Sequence, residues 1–189
     1  MKVKDFVTIG VFAVIYFVLM YAIGMMGLIP ILFLAWPPTI ALLLGVVVML
    51  VLAKVPKKGA MFLFGMIAPL AMFAMGFSPV LVINALIFVG LAELMCSMGK
   101  YKSFRMNALG NAFFSCWACG SLMQMIFVKE QYLAMTIKMM GAEYAAALEH
   151  LITWPNMIIV YIATFIFGIA GGFLGKAMLK KHFERAGIV

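Results

Sequence analysis

From residue 6 onward the chain reads as apolar runs of 17 to 25 residues, each closed by a glycine, a proline or a cluster of lysines. A helix needs roughly 20 apolar residues to cross the hydrocarbon core of a bilayer. The runs 6–27, 30–53, 60–76, 79–98, 106–128 and 154–178 therefore predict six spans. They nearly exhaust the chain, which predicts one membrane domain over residues 1–189 and leaves no room for a sizeable soluble unit. The expected fold class is an all-α integral membrane protein, a single six-transmembrane-helix bundle.

Composition removes the competing classes. Of the residues, 67% are hydrophobic and 11% are charged, and the mean hydropathy is +1.19. Soluble domains carry about 25% charged residues, so a soluble fold of this chain would have no polar surface to show water. Disorder is excluded on the same ground. Cys96, Cys116 and Cys119 are an odd number and lie inside apolar runs, which argues against a disulfide framework.

The net charge of +8 would suggest nucleic acid on a soluble protein. Here the basic residues sit in short clusters between spans, so no nucleic-acid partner is expected and the charge is a topology signal. Lys2, Lys4, Lys54, Lys57, Lys58, Lys100, Lys102, Arg105, Lys176, Lys180, Lys181 and Arg185, twelve of the 14 basic residues, fall on one side of the predicted bundle. Cytoplasmic loops concentrate Lys and Arg, so both termini are expected inside. The first run is long and has no small-residue cleavage site, which makes it a span rather than a cleavable signal peptide.

The segment 129–150 is the single long connection. Tyr132, Leu133, Ile137, Met140, Tyr144 and Leu148 mostly share one helical face, so an amphipathic helix interrupted near Gly141 is expected across the outer mouth. It is either an interfacial surface helix or a lid over a pocket, since long loops in compact proteins are often functional.

Candidate chemistry is sparse. Ala108, Ala112, Cys116 and Gly120, and the glycines at 168, 172, 171 and 175, recur four apart and predict close helix packing. Cys116-Trp-Ala-Cys119 spells a CxxC, but it lies mid-span without the helix-start setting that activates a thiolate. Glu93 is the one acidic residue well inside an apolar run, toward the cytoplasmic end. An intramembrane carboxylate is a functional hypothesis; a structural role, paired with Lys100 or Lys102 or accepting from Asn107 or Asn111, is favoured here. Trp36 precedes Pro37 and Pro38, expected to break or kink span two. Trp36, Asn84, Gln124, Trp154 and Asn156 gather in the outer halves of different spans and suit an outward-facing pocket, although amides in a membrane also bond across helices. His150 is the one outer histidine, and His182 lies in the basic tail. Neutral imidazole ligates haem iron, and 19 methionines supply an adaptable apolar surrounding. No Walker-type loop and no HExxH occurs, so the chain is expected to be no enzyme and to hold no cofactor of its own.

Several segments together carry a family resemblance: the start Met1-Lys-Val-Lys-Asp-Phe6, Ala35-Trp-Pro-Pro38, Asn84, Lys100-Tyr-Lys-Ser-Phe104, and the long loop leading into Trp154-Pro155-Asn156. Through them nearly the whole chain resembles the membrane-embedded S component of an energy-coupling factor (ECF) transporter, closest to the Trep_Strep type and similar to its haem-linked members. The resemblance implies a six-helix protein of the bacterial cytoplasmic membrane that captures a scarce nutrient outside. It further implies a T subunit and two ATPases as partners, with toppling of the S component in the lipid bilayer. Many S components carry AxxxA in span one; this chain reads Gly10 through Ala13 to Phe17 without it, so no docking residue is carried over.

The substrate reading favoured at this point is haem, with His150 as axial ligand and Tyr132, Tyr144, Trp154 and methionines lining the site. The alternative is a vitamin or vitamin precursor held by Trp36, Asn84, Gln124, Trp154 and Asn156. A non-transporting scaffold using the small-residue seams, and a stand-alone ion-coupled carrier using Glu93, are the readings from other classes.

Overall fold

In the computed structural model, residues 1–180 are described, and they are helical almost throughout. The sequence-derived expectations for Lys181, His182 and Arg185 lie outside the described residues. Among the described residues the elements are α1 (Val3–Gly24), a 3-10 turn (Met25–Leu28), α2 (Pro30–Lys54), α3 (Ala60–Ala74), α4 (Pro79–Met98) and α5 (Phe104–Ser115). A second 3-10 turn (Cys116–Cys119) follows, then α6 (Gly120–Phe127), α7 (Lys129–Met140), α8 (Ala142–Leu151) and α9 (Trp154–Met178).

Local chemistry sets these limits. Pro30 and Pro79 occupy first-turn positions, and Pro155 sits just inside α9, where a missing N–H costs nothing. Ser78 Oγ accepts from Val80 N at 3.1 Å and caps α4. Gly59 (φ +85°), Gly76 (φ +100°) and Gly141 (φ +92°) make the left-handed turns that bound α3 and separate α7 from α8. Two side-chain-bearing residues, Lys100 (φ 51°) and Tyr101 (φ 59°), share that region. Their turn is tied down by Tyr101 N–H to Cys96 O at 2.9 Å and by Asn107 Nδ2 to Tyr101 O at 3.1 Å.

Among the described residues four helices are long and apolar enough to cross a membrane: Val3–Leu28, Pro30–Lys54, Pro79–Met98 and Trp154–Met178. A fifth is reached when Phe104–Phe127 and Lys129–Met140, bent by 103° at their junction, are taken together. Of the six expected spans, the run 60–76 is the shortest in the structure. Its helix has only 15 residues, Ala60–Ala74, because left-handed glycines cut it at both ends; at 1.5 Å per residue it falls short of a roughly 30 Å core. Of the two outcomes expected at the prolines of span two, a break or a kink, the break is absent. Pro37 and Pro38 do not break α2, which runs through both. Pro37 and Pro38 leave the carbonyls of Phe33 and Leu34 without their usual N–H donors, a gap that membrane helices tolerate where neighbouring groups or local adjustment take it up.

The glycine ladders weld the centre. A Cβ on Gly171 would lie 2.2 Å from Ala41 O, and one on Gly45 would lie 2.6 Å from the Gly171 carbonyl carbon. A Cβ on Gly175 would meet Met49 Cβ at 2.9 Å. One face of α9 thus rests on the backbone of α2. The adjoining face rests on α5, where Cβ atoms on Gly168 and Gly172 would meet Ala112 Cα at 2.6 Å and Ala108 Cβ at 2.9 Å. Small residues permit this approach in lipid, where packing and not water exclusion joins helices. The seams are consumed inside the bundle, which removes them as an outer surface for a scaffold role.

The bundle has two chemically different ends. At the basic end Lys57 Nζ binds Asp5 at 2.7 Å, tying α1 to the α2–α3 turn, and Lys176 Nζ sits 4.4 Å from the Phe104 ring centroid. At the other end α7 and α8 lie across the bundle. Their Leu148, with Tyr132, Leu133 and Tyr144, packs on Leu122, Met125, Met157 and Val160. The long connection is thus a docked two-helix cover, broken at Gly141 as its sequence predicts. Outside, apolar stripes such as Val11, Val14 and Val18 on α1, and Ile158, Ile162 and Ile166 on α9, are exposed as lipid contact requires.

Candidate functional site

Beneath α7 and α8 lies a partly open cavity of about 310 Å³. Its floor and walls come from the end of α1 (Met20, Tyr21, Gly24), the first turns of α2 (Phe33, Trp36) and Ser121 of α6. Met72 of α3 and Phe77 close one side, and Tyr132, Met135, Thr136, Met139, Met140, Tyr144 and Leu148 form the roof. Among the described residues no charged side chain lines it. That size lies at the lower end for small-molecule sites, and an apolar lining with a few polar atoms is their usual chemistry.

The aromatic floor is rigid. Trp36 is buried, its ring is stacked near-parallel with Phe33 at a centroid separation of 6.4 Å, and its Nε1–H is directed at Met20 O at 3.5 Å. Gly27 allows this, since a Cβ there would stand 2.9 Å from Phe33 Cδ2. The roof is latched: Tyr144 OH donates to Gly27 O and joins α8 to the α1–α2 turn. Burial raises the Tyr144 phenol above its ordinary pKa, so it stays a neutral donor. At the lid's base Lys129 Nζ pairs with Glu149 at 2.6 Å. That hydrogen bond and charge hold the exposed Glu149 carboxyl below its usual range.

Of the sequence-predicted residues, the structure brings Trp36, Tyr132 and Tyr144 together in this wall. It does not bring the others there. His150 is exposed on α8 and lines no part of the cavity, so the imidazole expected as an iron ligand points to another environment. Trp154 is 55% exposed and meets Phe127 edge-on at 5.9 Å.

The amides expected in a pocket serve instead as staples. Asn84 Nδ2 donates to Cys116 O and Trp117 O at 3.1 and 3.0 Å, carbonyls at the 3-10 break between α5 and α6. Its Oδ1 accepts from Tyr161 OH at 2.6 Å. Gln124 Oε1 accepts from Ser78 N at 2.8 Å, and Asn156 Nδ2 donates to Leu151 O at 2.7 Å. Each amide pairs a backbone group where a helix is interrupted, because in lipid an unpaired one is costly.

Glu93 has a similar duty at the basic end. It accepts from Gly59 N at 2.6 Å, Phe62 N at 3.1 Å and Tyr101 OH, and so caps α3 from a neighbouring helix. Neither Lys100 nor Lys102 pairs with it; the partners are backbone N–H groups left bare at a helix start. Cys116 and Cys119 are buried, with Sγ directed at Ala112 O (3.5 Å) and Thr164 Oγ1 (3.6 Å), as the structural reading of the CxxC requires.

Met20, Tyr21, Phe33, Met72, Phe77, Ser121 and Thr136 are wall residues that the sequence did not single out. Phe77, between Gly76 and Pro79 in a charge-free turn, had the one local signal: a large aromatic where a turn should be polar.

A bundle of long apolar helices with a lipid-facing apolar exterior defines an integral membrane protein, and the chamber under α7 and α8 is its candidate site. Over residues 3–185 the chain matches the family described as hypothetical bacterial integral membrane protein (Trep_Strep). It belongs to that family. No curated protein and no solved structure matches it.

Proposed function

We propose that this protein is the substrate-capturing S component of an ECF-type importer in the bacterial cytoplasmic membrane. Six passes, α3 being the short one and α5–α6 the interrupted one, put both termini and the basic end in the cytoplasm. The covered cavity then faces outward, and a nutrient enters beneath α7 and α8. A T subunit and two ATPases supply the energy, and this chain performs no catalysis.

One observation carries the reading: a partly covered chamber of about 310 Å³, lined by aromatic and thioether side chains, lies at the end opposite the basic clusters. The positive-inside rule favours that orientation. The substrate that fits is a vitamin or vitamin precursor, a one- or two-ring molecule held over Phe33 and Trp36. Haem is a second reading favoured by one observation, the five methionines in the wall, since thioethers also serve as axial ligands; its larger macrocycle would require α7 and α8 to move outward. The ligand would then be a methionine, not His150.

The test is mass spectrometry of small molecules released from the purified chain, beside an absorption titration with haem, for wild type, His150→Ala and Trp36→Ala. Capture predicts a released compound, lost in Trp36→Ala and retained in His150→Ala. A Soret band that depends on His150 would overturn the cavity assignment. No released compound, no haem binding and no association with ATPase-bearing partners would overturn the S-component reading.

A further inference from the structure

The cavity wall has a hydrogen-bonding polarity. Its side-chain donors are spent on the protein: Ser121 Oγ donates to Ala118 O at 2.7 Å and Thr136 Oγ1 to Tyr132 O at 2.8 Å. Tyr21 OH donates to Met75 Sδ at 3.4 Å, Tyr144 OH to Gly27 O, and the Trp36 indole N–H is aimed at Met20 O. Each hydroxyl that has given its proton keeps lone pairs able to accept. Met20, Met72, Met135, Met139 and Met140 add thioether sulfurs, which are weak acceptors and never donors. Tyr132 alone brings a wall hydroxyl that makes no side-chain hydrogen bond among the described residues. Helix ends do not tip this balance, because α1 and α7 finish in the wall at Gly24 and Met140 while α2 and α8 begin there with Phe33 and Tyr144.

A carboxylate or phosphate taken out of water needs several donors or a cation, and this wall supplies one phenol. A molecule that brings its own N–H groups meets acceptors on several sides. We propose that the site selects an uncharged, flat ring compound that donates hydrogen bonds, through a ring N–H, an exocyclic amine or a carboxamide, and rejects carboxylates and phosphates. The proposal rests on the capture reading and names its substrate class. The volume admits one or two fused rings, and the Phe33–Trp36 floor gives them an aromatic surface.

The experiment is a thermal-shift titration of the purified full chain with matched pairs: nicotinamide against nicotinate, indole against indole-3-carboxylate, and haem as a dianionic probe. The expected result is stabilisation by the donor members at concentrations at least tenfold below those of their acid partners. Met139→Lys, at an exposed roof position, puts a cation into the wall and should improve the acid members at least fivefold. Equal or tighter binding of an acid or of haem by wild type overturns the class, as does a Met139→Lys variant with no gain for acids. Mass spectrometry of copurified molecules separates this failure from that of capture. An acid released by wild type but not by Trp36→Ala overturns the class and keeps the site; nothing released and nothing bound overturns both.

Discussion

Gly171→Ala tests the architecture at its tightest point. The added methyl would lie 2.2 Å from Ala41 O and 2.8 Å from Leu42 O, both backbone atoms of α2. No rotamer change relieves either contact, so α2 and α9 must separate along their whole seam. Overpacking costs about 1–3 kcal/mol where side chains can adjust; with backbone on both sides the upper end applies. Against it stands a gain of about 1 kcal/mol from replacing a helical glycine by alanine. The net is a loss of about 2 kcal/mol, or about 4–8 °C in Tm at the 2–4 °C per kcal/mol usual for chains of this size. Gly90→Ala is the matched control, because nothing lies within 4 Å of a Cβ there; it keeps the propensity gain and should raise Tm by about 2–4 °C. Both are read by thermal unfolding of the purified protein in one detergent. A Gly171→Ala protein as stable as the Gly90→Ala protein would refute backbone contact between α2 and α9.

Tyr144→Phe removes the latch to Gly27 O, a bond worth about 0.5–1.5 kcal/mol, and should speed hydrogen exchange across α7 and α8 by about two- to tenfold with Tm nearly constant; unchanged exchange would deny the latch. Glu93→Ala strips the caps from Gly59 N and Phe62 N, costs about 1–3 kcal/mol, and lowers Tm without making transport depend on an ion gradient; an unchanged Tm would return Glu93 to the functional candidates. The Lys129–Glu149 pair holds the Glu149 pKa below its ordinary 4.5. Its small contribution to lid closure is therefore complete above about pH 4.5 and fades as pH falls through the lower folded value. Spin-label distances between α7 and α8 should be constant from neutral pH to that point and broaden below it; broadening at neutral pH would contradict the pair.

Much of the fold is legible in the sequence because lipid imposes simple rules. The helix limits at Pro79, Met98, Trp154 and Met178 coincide with the predicted runs, and Gly141 divides the long loop where its periodicity lapses. The site is less legible. Asn84, Gln124 and Asn156 were read as pocket amides because intramembrane polarity signals function, yet interrupted helices consume amides for the same energetic reason. The break at Cys116–Cys119 that Asn84 serves has no proline to announce it, and Gly120 beside it reads equally well as a packing glycine. The wall is built of methionines and aromatics that any apolar run contains, and only the meeting of the α1, α2 and α3 ends under α7 and α8 distinguishes them. His150 stands out by its chemistry alone, and its exposed position on α8 lies outside this cavity's lining.

The seams along α9 have a mechanical consequence. Helices held apart by side chains can slide, because rotamers exchange as the surfaces shift. Where backbone touches backbone no such gearing exists, so α2, α5 and α9 form a keel that moves only as one piece. Compliance is left to the latched roof and to the ends of α1 and α3. On the proposed capture role, a molecule held in the chamber would leave by a roof that swings or by a whole body that rolls, without the bundle parting down its middle.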